Sequence, residues 1–225
     1  MSLEFTTTDG QHIELTEYRC IVAGYTGRDR AAVQHHIDEL AAIGVPPPPS
    51  VPMFYEMHPP LVSTEPELTQ RGHSLTSGEV EPVYVRHKGT YYLGVGSDHT
   101  DRELEREDIA ESKLACGKPL GATIIRIGSH DDLATFSLDD ATARSLVDGA
   151  LYQHGLLRAL RTPADIIQQL EAQLALPAST DIVCYGGTLP LIDGSFRAGT
   201  RWELEISLPN GTRLTHEYRM KGTDV

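Results

Sequence analysis

Apolar and polar residues alternate near both ends of the chain, and helical spacing appears in stretches between them. Residues 4–8 and 12–15 read as two short strands joined by Asp9-Gly10, a pair suited to a tight hairpin. Residues 19–23 form a short apolar strand ending at Gly24. Ala32, Val33, Ile37, Leu40 and Ala41 then recur at helical spacing and predict a helix over 28–43, stopped by Gly44. The prolines at 46–49, followed by Pro52, read as a stiff spacer, and 58–76 as a loop. Val80, Val83 and Val85, then 91–96, predict two strands joined across Gly89. A helix is predicted over 101–113 and a strand over 123–127. Two further helices are predicted, over 142–160 and over 164–176, the second with Thr162 as cap and Pro163 at its start. Strands at 181–185, 202–208 and 212–218 follow, the last two joined by Pro209-Asn210-Gly211. No repeat or compositional break divides the 225 residues. The expected class is α+β, one domain with a sheet-rich core and the 3–16 hairpin as an extension.

Composition narrows the function classes. Lys and Arg number 19 against 32 Asp and Glu, a net charge of −13. Such a chain lacks the basic footprint that neutralises nucleic-acid phosphates or docks on an anionic membrane face. It carries no apolar stretch near the ~20 residues a membrane span needs and no recognisable leader, so a cytoplasmic setting is expected. The three cysteines, Cys20, Cys116 and Cys184, are scattered and expected to be free thiols.

Four groups of residues could carry chemistry. Glu79-Val80-Glu81 places two carboxylates at i and i+2 of a predicted strand, hence on one face. Their repulsion raises one pKa unless a hard cation lies between them, although a solvated strand face gives the same pattern. Asp98 follows the next strand, where it could join those glutamates around Mg²⁺ or Mn²⁺, or cap a helix together with Ser97 and Thr100. His36 and Glu39 are i and i+3 on the first helix, a spacing that lets a carboxylate orient an imidazole base; His35 and Asp38 repeat it one step round. Gly186-Gly187-Thr188 could hold an anion on backbone N–H groups and a hydroxyl, or could be an ordinary strand-end turn.

In this order the pieces resemble the fumarylacetoacetate hydrolase superfamily, over about residues 20 to 208. The family's H-x-x-E helix is similar to His36-Ile37-Asp38-Glu39, after Gly24-Tyr25, and its strand glutamates to Glu79 and Glu81. Its D-x-T-A-R-D stretch is similar to Asp98-His99-Thr100-Asp101-Arg102-Glu103, and its lysine before P-L-G to Lys113 before Pro119-Leu120-Gly121. Its late strand and G-T turn resemble Tyr185-Gly186-Gly187-Thr188, and its closing glycine-led strand resembles 198–206. The chain departs at Asp101, which replaces alanine, and at Glu103. Its spacing from Glu81 to Asp98 is short, Lys118 competes with Lys113, and Glu56 stands where a lysine is common.

The resemblance implies a mixed β-sandwich roll with flanking helices, a homodimer, and Mg²⁺ (or Mn²⁺ or Ca²⁺) held by Glu79, Glu81 and Asp98. It also implies catalytic roles for His36, Glu39 and Lys113, and substrate contacts from Tyr25, Arg102, Gly187 and Thr188. The implied activity is hydrolysis of a C–C bond in a small acylpyruvate-like oxo acid. The same cation chemistry would serve an oxo-acid decarboxylase or a hydratase or dehydratase, and a non-catalytic oxo-acid binding protein is a further alternative.

Overall fold

The computed structural model describes residues 2–42, 46–70 and 75–222, and within these the side chains at 36, 39, 40, 70 and 222 fall outside the described set. The first half of the chain forms β1 (Leu3–Thr7), β2 (His12–Leu15), β3 (Arg19–Gly24), α1 (Arg30–Ala42), β4 (Met53–Met57), β5 (Val62–Ser63), β6 (Glu67–Gln70), β7 (Thr76–Ser77), β8 (Glu81–His87), β9 (Thr90–Gly96) and β10 (Thr100–Asp101). The second half forms α2 (Ile109–Leu114), β11 (Lys118–Pro119), β12 (Thr123–Gly128), α3 (His130–Thr135), β13 (Thr142–Val147), β14 (Ala150–Leu156), α4 (Pro163–Leu174), β15 (Ile182–Tyr185), β16 (Arg201–Ser207) and β17 (Arg213–Gly222).

Two mixed sheets carry the structure. The larger has the order β2-β1-β12-β9-β8-β15-β3-β4, and the smaller the order β14-β13-β16-β17-β6. The central strands of the larger sheet, β3, β8, β9 and β15, are apolar on both faces, because each face there has its own core. In β15, Ile182 and Cys184 enter the core shared with α4 and the smaller sheet, while Val183 and Tyr185 enter the second core, with Phe5, Leu15 and Ile124. The smaller sheet is buried on one face only: Trp202, Leu204 and Ile206 point in, and the residues between them are partly exposed. This is the α+β, sheet-dominated class that the strand pattern predicts.

Three expectations need correction. Residues 142–160 are not a helix but the β13–β14 hairpin, in which Ala143, Ser145 and Val147 alternate inward. Asp148 and Gly149 both take positive φ, +48° and +81°, as a two-residue hairpin turn demands. The predicted helix over 101–113 is broken in two. Asp101 accepts hydrogen bonds from the N–H groups of Glu103 and Leu104, closing a single 3-10 turn at Leu104–Arg106, and Asp108 caps α2 by accepting from Glu111. The stretch 58–76 is not all loop, since β6 pairs in parallel with the C-terminal strand β17. The helix α3, with its Ser129–Asp132 capping box, was not anticipated. α4 begins as the sequence predicts, with Thr162 accepting from Asp165 N and Pro163 in the first turn.

Two buried polar groups give stability tests. Arg86 is fully buried in β8. It donates to the Thr180 and Pro177 carbonyls (2.7 and 3.0 Å) and to Tyr91 Oη (3.1 Å), and it pairs with Glu171. Arg86→Met leaves those acceptors unpaired and should cost about 3 kcal/mol in urea unfolding. Burial pushes His216, stacked on Tyr218, down from 6.5 to about 4. The unfolded chain therefore binds a proton in this window that the folded chain refuses. The His216 contribution is complete above pH 6.5 and falls away toward pH 4, and His216→Phe should flatten that part of the stability profile.

Candidate functional site

The site gathers where β8 begins and where β9 and β15 end. Hairpin pairing sets Glu81 opposite Gly96, so the chain leaving β9 carries Asp98 past the glutamates. Glu79 lies just before the strand. Its N–H donates to Ser97 Oγ (2.8 Å), Val80 N–H donates to Gln153 Oε1 (2.8 Å), and the Thr188 hydroxyl donates to the Val80 carbonyl (2.8 Å). From the end of β15, Gly187 N–H donates to Glu81 Oε2 (2.8 Å). Gly187 has φ +92°, and a Cβ there would sit 1.8 Å from Thr26 Oγ1, so only glycine allows this approach.

Glu81 and Asp98 are buried and Glu79 is nearly so, and the three differ in what neutralises them. Asp98 is flanked by two ammonium groups. Lys113 donates to its Oδ2, and Lys118 lies 3.0 Å from its Oδ1 while donating to the His99 carbonyl (2.7 Å) and to that of Lys113. Burial alone would raise the Asp98 pKa, but these charges outweigh burial and hold the carboxyl well below its usual range. Glu79 is raised by burial and steadied by Arg102 at 2.9 Å. Glu81 has the Gly187 N–H, and burial, with Asp98 and Glu79 nearby, pushes it up to about 8.

This donor chemistry fits a hard divalent cation. Burial, and then the charges of Asp98 and Glu79, make Glu81 hard to ionise, and Asp98 Oδ1 is buried without a well-directed hydrogen bond. As folded, no three His, Cys, Asp or Glu side chains among the described residues close on one point at ion-binding distance. The ion pairs Asp98–Lys113 and Glu79–Arg102 occupy the carboxylates instead.

The other sequence candidates fall around this cluster or outside it. The side chains of His36 and Glu39 lie outside the described residues. Tyr25, at φ +57°, follows β3 within the field of Glu105 and Lys113. Lys113 reaches the cluster from α2, 5.5 Å above the Tyr55 ring. Glu56 points away from the cluster and forms a partly exposed ion pair with Arg19, while its neighbour Tyr55 lies beside Lys113. The Thr188 hydroxyl also accepts from Gln153 Nε2 (2.9 Å). Sequence reasoning missed Glu105, Phe196, Gln153 and the His99–Tyr218 contact (3.0 Å). Only Glu105 had a readable signal, its i,i+3 spacing from Arg102. The groove lined by His12, Arg19, His87 and Asp181 is at the far end of the β8–β9 hairpin and holds none of the candidates.

Cation titration separates the roles of these carboxylates. Saturating Mn²⁺ or Mg²⁺ should raise the melting temperature of wild type, by the equivalent of about 2.7 kcal/mol at a hundredfold excess over Kd. Glu81→Gln should abolish that rise while stabilising the chelated protein at pH 8, since it removes a carboxyl that is costly to ionise. Asp98→Asn should abolish the rise and also cost about 3–5 kcal/mol, because Lys113 and Lys118 lose their counter-charge.

Solved structures with the same fold cover most of the chain. Fumarylpyruvate hydrolase from Pseudomonas aeruginosa, in complex with Mn²⁺ and pyruvate, superposes with a TM-score of 0.65 at 15% identity, covering 99% of this chain and 97% of that one. The 5-carboxymethyl-2-hydroxymuconate delta-isomerase from Mycobacterium smegmatis gives 0.61 at 16% identity, over 93% and 80% of the two chains. A 2-keto-3-deoxyarabinonate dehydratase gives 0.59 at 17% identity, over 94% and 76%. The chain thus shares the fold of these structures, as the sequence resemblance led us to expect. No curated protein matches the chain. The model of the family described as "Protein of unknown function (DUF2848)" matches residues 23–218, and the chain belongs to that family.

Proposed function

We propose that the chain is a divalent-cation-dependent enzyme that hydrolyses the C–C bond of a small acylpyruvate-like oxo acid. The observation that carries this reading is Glu81, a buried carboxylate that faces two others and has one backbone N–H to itself. The fold, shared with a hydrolase, an isomerase and a dehydratase of related acids, supports it. A cation held by Glu79, Glu81 and Asp98 would act as a Lewis acid for the negative charge that develops on the 2-oxo acid end.

The remaining work falls to the chain's own residues. His36, oriented by Glu39, takes a proton from water as the water oxygen adds to the distal carbonyl carbon. The C–C bond between that carbon and the methylene then breaks, its electron pair passing into the pyruvate enolate, and the proton returns to the methylene carbon. The products are a carboxylate and pyruvate. Lys113, with one of its three N–H groups on Asp98, holds the oxyanion or the substrate carboxylate. Gly187 N–H and the Thr188 hydroxyl hold Glu81 and Val80 in place, which makes them positioning groups.

The reading includes a homodimer and a cytoplasmic setting. Exposed Leu151, Leu156 and Ile192 around edge strand β14 support the first, and three buried free cysteines the second.

Acylpyruvates supplied with Mg²⁺ or Mn²⁺ should yield stoichiometric pyruvate, and EDTA should abolish turnover. His36→Ala should lower kcat about 10²- to 10⁴-fold. Full activity after complete metal removal would overturn the role of the cation. Release of CO₂, or of water without chain cleavage, would instead assign a decarboxylase or a dehydratase.

A further inference from the structure

Arg102 is the residue at this site best suited, by chemistry, to clamp a second carboxylate of a substrate. In the structure its guanidinium is paired with the protein on three sides, although Nη2 faces Glu79 as an ion pair without a well-directed hydrogen bond. Nε donates to Ser77 Oγ (2.7 Å), Nη1 to both oxygens of Glu105 (2.9 and 3.2 Å), and Nη2 lies 2.9 Å from Glu79. The flat face is covered as well, by the Phe196 ring with its centroid 4.0 Å from Cζ. Glu105 is only a quarter exposed, and its charge acts on Lys113 and Tyr25 too. A second substrate carboxylate entering here would meet the Glu105 carboxylate, while the guanidinium beside it is committed to Glu79, Glu105 and Ser77. The surfaces facing that end are aromatic: Tyr25 and Tyr55 are half-buried, and Phe196 is 43% exposed. Asp193 pairs with Arg197 at the base of the segment that carries Phe196, so that cation is spent as well.

We propose that the Arg102–Glu105 pair and the Phe196 ring select a substrate whose tail, beyond the oxo-acid head, is uncharged. The chain is therefore specific for monocarboxylate oxo acids and rejects dicarboxylates. This rests on the oxo-acid reading above, and names the substrate class within it. Glu105 acts by repulsion and by occupying Arg102, while Phe196 supplies apolar contact.

The test compares two probes of equal length that lack the cleavable diketone, 2-oxohexanoate and 2-oxohexanedioate, titrated by calorimetry into the full chain with and without Mn²⁺. Wild type should bind the monocarboxylate ~10-fold or more tightly than the dicarboxylate, as one uncompensated charge contact implies. Glu105→Gln should narrow the ratio by at least ~3-fold by improving dicarboxylate binding. Phe196→Ser, a change at an exposed side chain that serves even if the Glu105 variant fails to fold, should weaken 2-oxohexanoate by ~3-fold or more. Equal or tighter wild-type binding of the dicarboxylate overturns the proposal, as does a ratio unmoved by either variant. Selective binding of 2-oxohexanoate without cleavage of 2,4-dioxohexanoate would sink the hydrolase reading and leave this one standing. Binding of neither probe overturns both.

Discussion

Three carboxylates gathered at one end of a sheet, two of them buried and one nearly so, are the constraint around which the rest of the chain is arranged. An isolated buried carboxylate is costly enough that it either finds a cation or gives up its charge. Asp98 takes the first route through Lys113 and Lys118, Glu79 takes it through Arg102, and Glu81 moves toward the second, its pKa rising to about 8. The short helix α2 and the short strand β11 exist in this context to bring two lysines to one aspartate. The kinked 102–106 stretch brings Arg102 and Glu105 to the same place.

The scaffold makes this arrangement rigid. Because the centre of the large sheet is buried on both faces, β8, β9 and β15 cannot slide without moving two cores at once. The strand ends at which Glu81, Gly96 and Tyr185 lie are thereby fixed, and Val80, between the glutamates, is tied down on its backbone by Gln153 and Thr188, from the smaller sheet and the turn after β15. The same rigidity underlies the selectivity proposed for the site. Arg102 is gripped by Ser77, Glu79, Glu105 and the Phe196 ring, so its donors face the protein rather than a ligand.

Local signals were readable where one segment decides its own structure. The Asp9-Gly10 hairpin, the Thr162-Pro163 helix start and the strands around Asn210-Gly211 are short-range patterns, and all are present. The hairpin at 142–156 failed to register although Asp148-Gly149 marks its turn, because Ala, Leu and Arg in its strands are good helix formers taken alone. Cross-strand pairing to β16 overrides that preference. The helix expected over 101–113 failed for the opposite reason: two aspartates, at 101 and 108, each cap a new turn and interrupt the run.

What the sequence by itself determined is the inventory: the acidic residues at 79, 81 and 98, the lysines at 113 and 118, the glycines that end β9 and β15, and a strand-rich chain to carry them. Only the tertiary structure decided which cation serves which carboxylate. It paired Glu56 with Arg19 away from the cluster and set Tyr55 beside Lys113, and it closed Glu105 and Phe196 over Arg102. The reason is physical: a residue's charge is written in its type, but the cost of that charge, and the partner that offsets it, depend on burial and on neighbours distant in the chain.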